Sequence, residues 1–364
     1  MEQNKNALAN FPFVDWIRMI AMVGIIWAHT PNFEGGKNFP SLDNIPLYFF
    51  FMDFFKFGVL CFFLISGFLL ASKIDDAPPL QYFKKRVSST LFAYLFAFVL
   101  IVLLFVFKTK VMHDASSYSV GQYIVMMFLE SAMWFLPNYW VSLAVLLCFR
   151  KYLNSVGLGM FFLVVTLLYS YFFVYTENQQ SHVYALFAYI FYLWLGYYIG
   201  KNKIHLRFQQ WNVYLLIVLF AGCYILASYE SVWLYQWGSP NPMTILRISN
   251  QLFSLIAFVT MVRLFNRPFS SRWFNPRKET FGIYLYHMFP LALLAFMLKI
   301  LNKVGLNTFS SNTVVFMGWF IIKFIVVYVL TLLIVKFCIR YNIGFLNYGT
   351  AGNKDVKVAK PTLV

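Results

Sequence analysis

The sequence predicts an all-α, polytopic membrane protein with about ten transmembrane helices and both termini in the cytoplasm. Composition comes first: of 364 residues, 61% are hydrophobic and only 12% are charged, and the mean hydropathy is +0.67, far outside soluble averages. The second observation is segmentation, because the apolar residues fall into ten stretches near the ~20 residues that cross a hydrocarbon core about 30 Å thick. The third is the placement of Lys and Arg between those stretches, which sets orientation.

In chain order the spans are expected at 12–29, 45–71, 88–107, 122–149, 158–175, 183–200, 212–229, 244–264, 280–300 and 312–338. The first follows the polar stretch MEQNKNALAN and keeps its charges on one face, as a signal-anchor does. The second and fourth are long enough to be tilted, kinked or partly re-entrant, and Pro137 favours a kink in the fourth. In the sixth, Gly196 and Gly200 point to close helix packing, as do Ser66 and Gly67 in the second. The chain is expected to form a single transmembrane domain over 1–340, with 341–364 a short cytoplasmic tail.

Of the 29 Lys and Arg residues, 19 fall in segments that a cytoplasmic N-terminus places inside, including Lys73, Lys84, Lys85, Arg86, Arg150, Lys201, Arg263 and Arg277. Five fall in outer loops, and Arg18, Lys56, Arg247, Lys323 and Lys336 lie within spans. The net charge of +16 is therefore a topology signal and not a nucleic-acid-binding patch. Cys61, Cys148, Cys223 and Cys338 are isolated in apolar spans with no CxxC or His cluster, which argues against a metal site or a disulfide framework.

The first span, FVDWIRMIAMVGIIWAHT (13–30), holds three ionisable side chains, Asp15, Arg18 and His29. Groups of this kind are expensive in a bilayer and are functional candidates by default. Eleven residues at 100° each bring His29 to about 20° past three turns from Arg18, so the two share a face, roughly 16 Å apart along the axis. His29 has the pKa range of a general base; the plainer alternative is a helix-end His bonded to a carbonyl or water. Arg18 offers a planar fork suited to phosphate or carboxylate, and its alternatives are snorkelling or pairing with Asp15 at i,i+3. Tyr284 and His287 share a helix face in the ninth span, where a relay role and a structural role stand level. Glu130 lies one turn before Trp134 and is either an orienting or sugar-binding carboxylate or a lone interfacial one.

Four segments, in order over about 330 residues, resemble the acyltransferase-3 family of integral membrane O-acyltransferases. They are the Arg18-to-His29 helix, FGVLCFFLISGFLLASK (57–73), WFLPNYW (134–140) and ETFGIYLYHMFPL (279–291). One departure stands out: QYFKKRVSST (81–90) carries Ser89 where the family usually has a second arginine. The resemblance implies an enzyme of the plasma membrane, an acyltransferase transferring groups other than aminoacyl groups. Its donor would be acyl-coenzyme A, acetyl-CoA foremost, with no metal, and its acceptor a hydroxyl of a surface polysaccharide or a lipid-linked glycan. It also implies that His29 and Asp15 are catalytic, Asp15 by orienting Arg18 more than by reacting, and that Arg18, Arg86, Lys85 and Lys84 bind the donor. Glu130, Trp134, Tyr284 and His287 are expected to serve substrate or proton relay. The rival is a glycan or lipid transporter or flippase; it would favour inverted repeats, and the Arg18-to-His29 helix has no second copy in the sequence.

Overall fold

The computed structural model describes residues 11–33, 42–111, 119–130, 132–177, 179–303 and 311–346. Among these residues every regular element is helical. Helix α1 (Pro12–His29) opens on a proline, whose fixed φ and missing N–H suit a first helical turn. Helix α2 (Ile45–Asp53) is capped by Asn44, whose side chain accepts the Leu47 N–H at 3.0 Å. The apolar run Ile45–Leu70 is one candidate span, interrupted at 54–57. There the Lys56 N–H bonds to the Asp53 carbonyl at 3.0 Å and the Gly58 N–H to the Phe55 carbonyl at 3.1 Å. These three-residue hydrogen bonds are tighter than those of an α-helix, and they make a corner before α3 (Gly58–Leu70). Helix α4 (Pro79–Val111) has 33 residues, roughly 50 Å of helix, so its first turns, with QYFKKR, start well before the apolar stretch at 88–107.

Helix α5 (Val120–Glu130) and α6 (Phe135–Cys148) divide the fourth expected span, with a 3₁₀ turn at Ala132–Trp134 between them. Pro137 supplies the reason: it has no N–H for the carbonyl four residues back, that of Met133. That carbonyl accepts the Tyr284 hydroxyl at 2.8 Å instead. Helix α7 (Val156–Val174) leads through a 3₁₀ turn at His182–Tyr184 to α8 (Ile190–Lys201) and the short α9 (Ile204–Phe208). Then come α10 (Val213–Gln236), α11 (Ile248–Leu264), α12 (Pro276–Tyr286), α13 (Met288–Lys303) and α14 (Thr313–Arg340). Helices α12 and α13 meet at a 45° bend. Pro290 has the same effect there as Pro137 in α6, disrupting the turn over Tyr286 and His287.

Six of the described helical runs are long and apolar enough to cross a membrane, or seven if the bent α12–α13 pair is one span; α6 and α11 are shorter apolar helices. The outer helices betray their lipid contact. On α14, Ile322, Ile325, Val329 and Leu333 are exposed at helical spacing, as are Leu95, Val99 and Leu103 on α4. Helices α1, α3, α8 and α11 share one core, built around Ile17, Phe63, Leu64, Leu193 and Phe258. The opposite end of α1 packs through Met22, Ile25 and Ile26 with α4, α6, α12 and α14.

Helices α3 and α8 touch backbone to backbone. A Cβ added at Gly67 would lie 1.9 Å from the Leu193 carbonyl oxygen, and one at Gly196 would lie 2.0 Å from that of Leu64. The Ser-Gly and Gly-xxx-Gly signals thus mark a packing seam. Gly67→Ala and Gly196→Ala are each expected to destabilise the detergent-solubilised protein by about 2 kcal/mol or more, read as a lower thermal midpoint. Gly222→Ala, with open space around it, is the control and is expected to be neutral or slightly stabilising.

Candidate active site

Two clusters sit at opposite ends of α1. At its C-terminal end, His29 is half-buried and its ring lies 5.3 Å, centroid to centroid, from that of His287. His287 occupies the α12–α13 bend and is fully buried. Its Nδ1 lies 2.7 Å from the Tyr284 carbonyl oxygen, so Nδ1 carries the proton and Nε2 the lone pair. That Nε2 is buried without a hydrogen-bond partner among the described residues. Tyr284 is held in turn by its hydroxyl on the Met133 carbonyl. His287, Lys56 and His182 are the titratable groups that act electrostatically on His29. The His182 ring stands edge-on to Trp134 at 5.2 Å, and Trp134 packs on Tyr189 at 5.1 Å.

At the N-terminal end of α1, Asp15 is shared by two arginines. Arg18 Nη1 donates to it at 3.0 Å, and Arg277 grips both carboxylate oxygens, Nε at 2.9 Å from one and 3.1 Å from the other. A cavity of about 390 Å³ opens against Asp15 and Arg277, lined also by Ser270, Ser271 and Asn275. Arg86 donates from Nε to the Tyr82 hydroxyl at 3.1 Å and lies over that ring; Tyr139 is its other electrostatic neighbour. Lys73, in the turn after α3, is held below the usual lysine range by partial burial and by repulsion from Arg86, Arg18 and Lys85, with Asp76 opposing. Arg86, Arg18 and Lys85 thus gather their charge about Lys73, and a group of cations of this kind suits a polyanion.

Between the ends lies a charge pair fully enclosed in the helices. Arg247 and Asp53 are both 0% exposed and meet in a fork, Nη2 to Oδ1 at 2.9 Å and Nη1 to Oδ2 at 3.1 Å. Ser231 donates to the same carboxylate at 2.5 Å, Arg247 Nε donates to the Thr244 carbonyl at 3.0 Å, and Nη1 also donates to the Ala227 carbonyl. This network joins the end of α2 to α10 and to the start of α11.

Of the residues singled out by sequence, the structure brings His29 and His287 together, with Tyr284 behind His287 and Trp134 one ring beyond, against His182. Arg18, Arg86 and Lys85 converge near Lys73, with Asp15 bound to Arg18. Lys84 is exposed and is not among the groups acting on Lys73. Ser89 donates its hydroxyl back to the Arg86 carbonyl at 2.8 Å. Glu130 closes α5, and its side chain lies outside the described residues. Arg277, His182, Lys56 and the Asp53–Arg247 pair were not assigned a role from sequence, although Lys56 and Arg247 carried the signal of a cation inside an apolar span. No group of three or more His, Cys, Asp or Glu suited to a metal ion occurs among the described residues.

The family model for the acyltransferase domain named Acyl_transf_3 matches residues 11–340. The chain belongs to the acyltransferase-3 family. No curated protein and no solved structure matches it. In this acyltransferase-3 chain the match begins at α1 and ends with α14, so it takes in both clusters and the pair between them.

Removing one partner of a buried ion pair strands the other charge, which costs about 3–5 kcal/mol, whereas replacing both by apolar groups costs far less. Arg247→Met is therefore expected to lower stability by about that amount, and Asp53→Leu combined with Arg247→Met to be more stable than Arg247→Met alone. Thermal unfolding of the four proteins of this cycle checks the coupling; additive losses would show that the two side chains act independently.

Proposed function

We propose that this acyltransferase-3 protein is a ten-span plasma-membrane enzyme, with both termini cytoplasmic. It takes an acyl group, acetyl foremost, from coenzyme A on the cytoplasmic side and delivers it to a hydroxyl of an extracytoplasmic glycan or lipid-linked saccharide. The observation that carries this reading is the polarity of α1. One helix bears a repelling cation cluster about its Arg18 end and an imidazole pair about its His29 end, roughly 16 Å apart. The excess of Lys and Arg in the loops on the Arg18 side orients that end toward the cytoplasm, where coenzyme A is found.

On this reading Arg18, Lys73, Lys85 and Arg86 hold the donor's phosphates, and Asp15 fixes Arg18 against Arg277. The pantetheine arm runs along α1, bringing the thioester to His29. The acceptor hydroxyl approaches from the opposite side. As its oxygen attacks the thioester carbonyl carbon, His29 takes the hydroxyl proton and the carbonyl electron pair moves to oxygen. Collapse of the tetrahedral intermediate re-forms the carbonyl and expels the thiolate, which accepts the proton from the His29 imidazolium. His287, its Nδ1–H fixed on the Tyr284 carbonyl, presents an acceptor nitrogen on the side of the reacting imidazole, free to take a proton-bearing partner.

Labelled acetyl-coenzyme A supplied to the cytoplasmic face of sealed membrane vesicles tests this. Wild type is expected to place label in glycan on the far side, and His29→Ala at matched membrane levels to lose at least 100-fold of that rate, the usual scale for removing a general base. Transfer undiminished in His29→Ala would remove His29 from the chemistry. Product that appears outside only when already acylated glycan is supplied would mark the protein as a transporter.

A further inference from the structure

Lys56 stands at the corner between α2 and α3, which is tied down on both sides. Three residues before it, Asp53 is locked to Arg247 and Ser231. On the other side the corner is pressed onto α1: a Cβ at Gly24 would lie 2.6 Å from the Phe55 carbonyl oxygen, and one at Gly58 would lie 2.8 Å from that of Ala21. The two glycines of different helices thus clamp residues 55–58 against the stretch of α1 that leads to His29. Ala21 and Gly24 precede His29 by one to two turns, within reach of an extended lysine side chain on the neighbouring corner.

The Lys56 ammonium has no hydrogen bond and no ion pair among the described residues. Asp53, the carboxylate nearest in sequence, already accepts from both terminal nitrogens of Arg247 and from the Ser231 hydroxyl. Lys56 is half-buried; Asp53 and Arg247 act on it electrostatically, and its charge acts in turn on His29 and His182. A cation without a counter-ion inside an apolar bundle is costly unless something anionic visits it. The chemistry proposed for His29 generates such an anion, transiently, at the thioester carbonyl oxygen.

We propose that Lys56 is a catalytic residue that donates a hydrogen bond to the oxyanion of the tetrahedral intermediate, with the Asp53–Arg247 pair and the Gly24–Gly58 clamp holding it in place. The proposal rests on the acyl-transfer reading of His29. In the step itself, the carbonyl π electrons move to oxygen as the acceptor oxygen–carbon bond forms, and the Lys56 ammonium stabilises that oxygen without giving up its proton. When the carbon–sulfur bond breaks the electrons return, and Lys56 ends the cycle unchanged. A donor fixed in advance is the more effective form of such stabilisation, because it costs no reorganisation at the moment of reaction.

The test measures kcat and the donor KM separately for wild type, Lys56→Met and Lys56→Arg in vesicles from the native membrane, with acetyl-coenzyme A as the probe. For Lys56→Met, kcat is expected to fall on the order of 10²–10³-fold, while the KM for acetyl-coenzyme A changes less than about threefold because the phosphates are held elsewhere. Lys56→Arg, which keeps the charge, is expected to recover at least tenfold over Met. A Lys56→Met enzyme with kcat close to wild type, or a loss confined to KM, overturns the assignment of Lys56 and leaves the role of His29 standing. Absence of transfer by wild type itself overturns both. If Lys56→Met does not accumulate as folded protein, Lys56→Gln and Lys56→Arg decide: equal turnover by the two overturns the proposal, and a clear advantage for Arg supports it.

Discussion

The arrangement depends on one buried ion pair. Asp53 and Arg247 are fully enclosed, so neither charge has access to water, and each is tolerable only because the other is there together with Ser231 and the carbonyls of Ala227 and Thr244. Such a network has little freedom to shift. It fixes where α2 ends relative to α10 and α11, and therefore where the corner at 54–57 must turn. That corner abuts α1 at Gly24 and Gly58. The position of Lys56 along α1 thus follows from a pair of side chains that take no part in the proposed chemistry.

Two prolines shape the other wall of the site in a similar way. Pro137 leaves the Met133 carbonyl without its helical donor, and Pro290 disturbs the turn around His287. The Tyr284 hydroxyl donates to the freed Met133 carbonyl, and at the bend beside Pro290 His287 Nδ1 donates to the Tyr284 carbonyl. The segment 134–140 and the segment 279–291, far apart in sequence, are joined by this chain of hydrogen bonds. It ends in an imidazole whose tautomer is set and whose free nitrogen is buried beside His29.

Much of the fold was legible because a bilayer imposes simple lengths. Helix α1 occupies the expected 12–29, and α14 spans Thr313–Arg340 against an expected 312–338. The sequence was less informative where a span is not one straight helix. The expected 183–200 becomes a 3₁₀ turn, a short irregular stretch and α8 from Ile190, since an apolar stretch reads the same whether it is helical or coiled against protein. Helix α4 begins at Pro79, earlier than the expected 88, because hydropathy registers only its apolar part. In the site, the Asp15–Arg18 pair was visible as an i,i+3 spacing. The approach of His287 to His29, and that of Arg247 to Asp53, join residues with no periodic relation, and no single-sequence pattern specifies such a contact.

The central claim is that α1 carries the donor's phosphates at one end and its reacting carbonyl at the other. A structure of the protein bound to a non-hydrolysable acyl-coenzyme A analogue tests it most directly. The account predicts the phosphates among Arg18, Lys73, Lys85 and Arg86, and the acyl carbonyl within hydrogen-bond reach of Lys56 and beside His29. An analogue seated with its acyl group away from His29, or with its phosphates at the opposite end of α1, would contradict it.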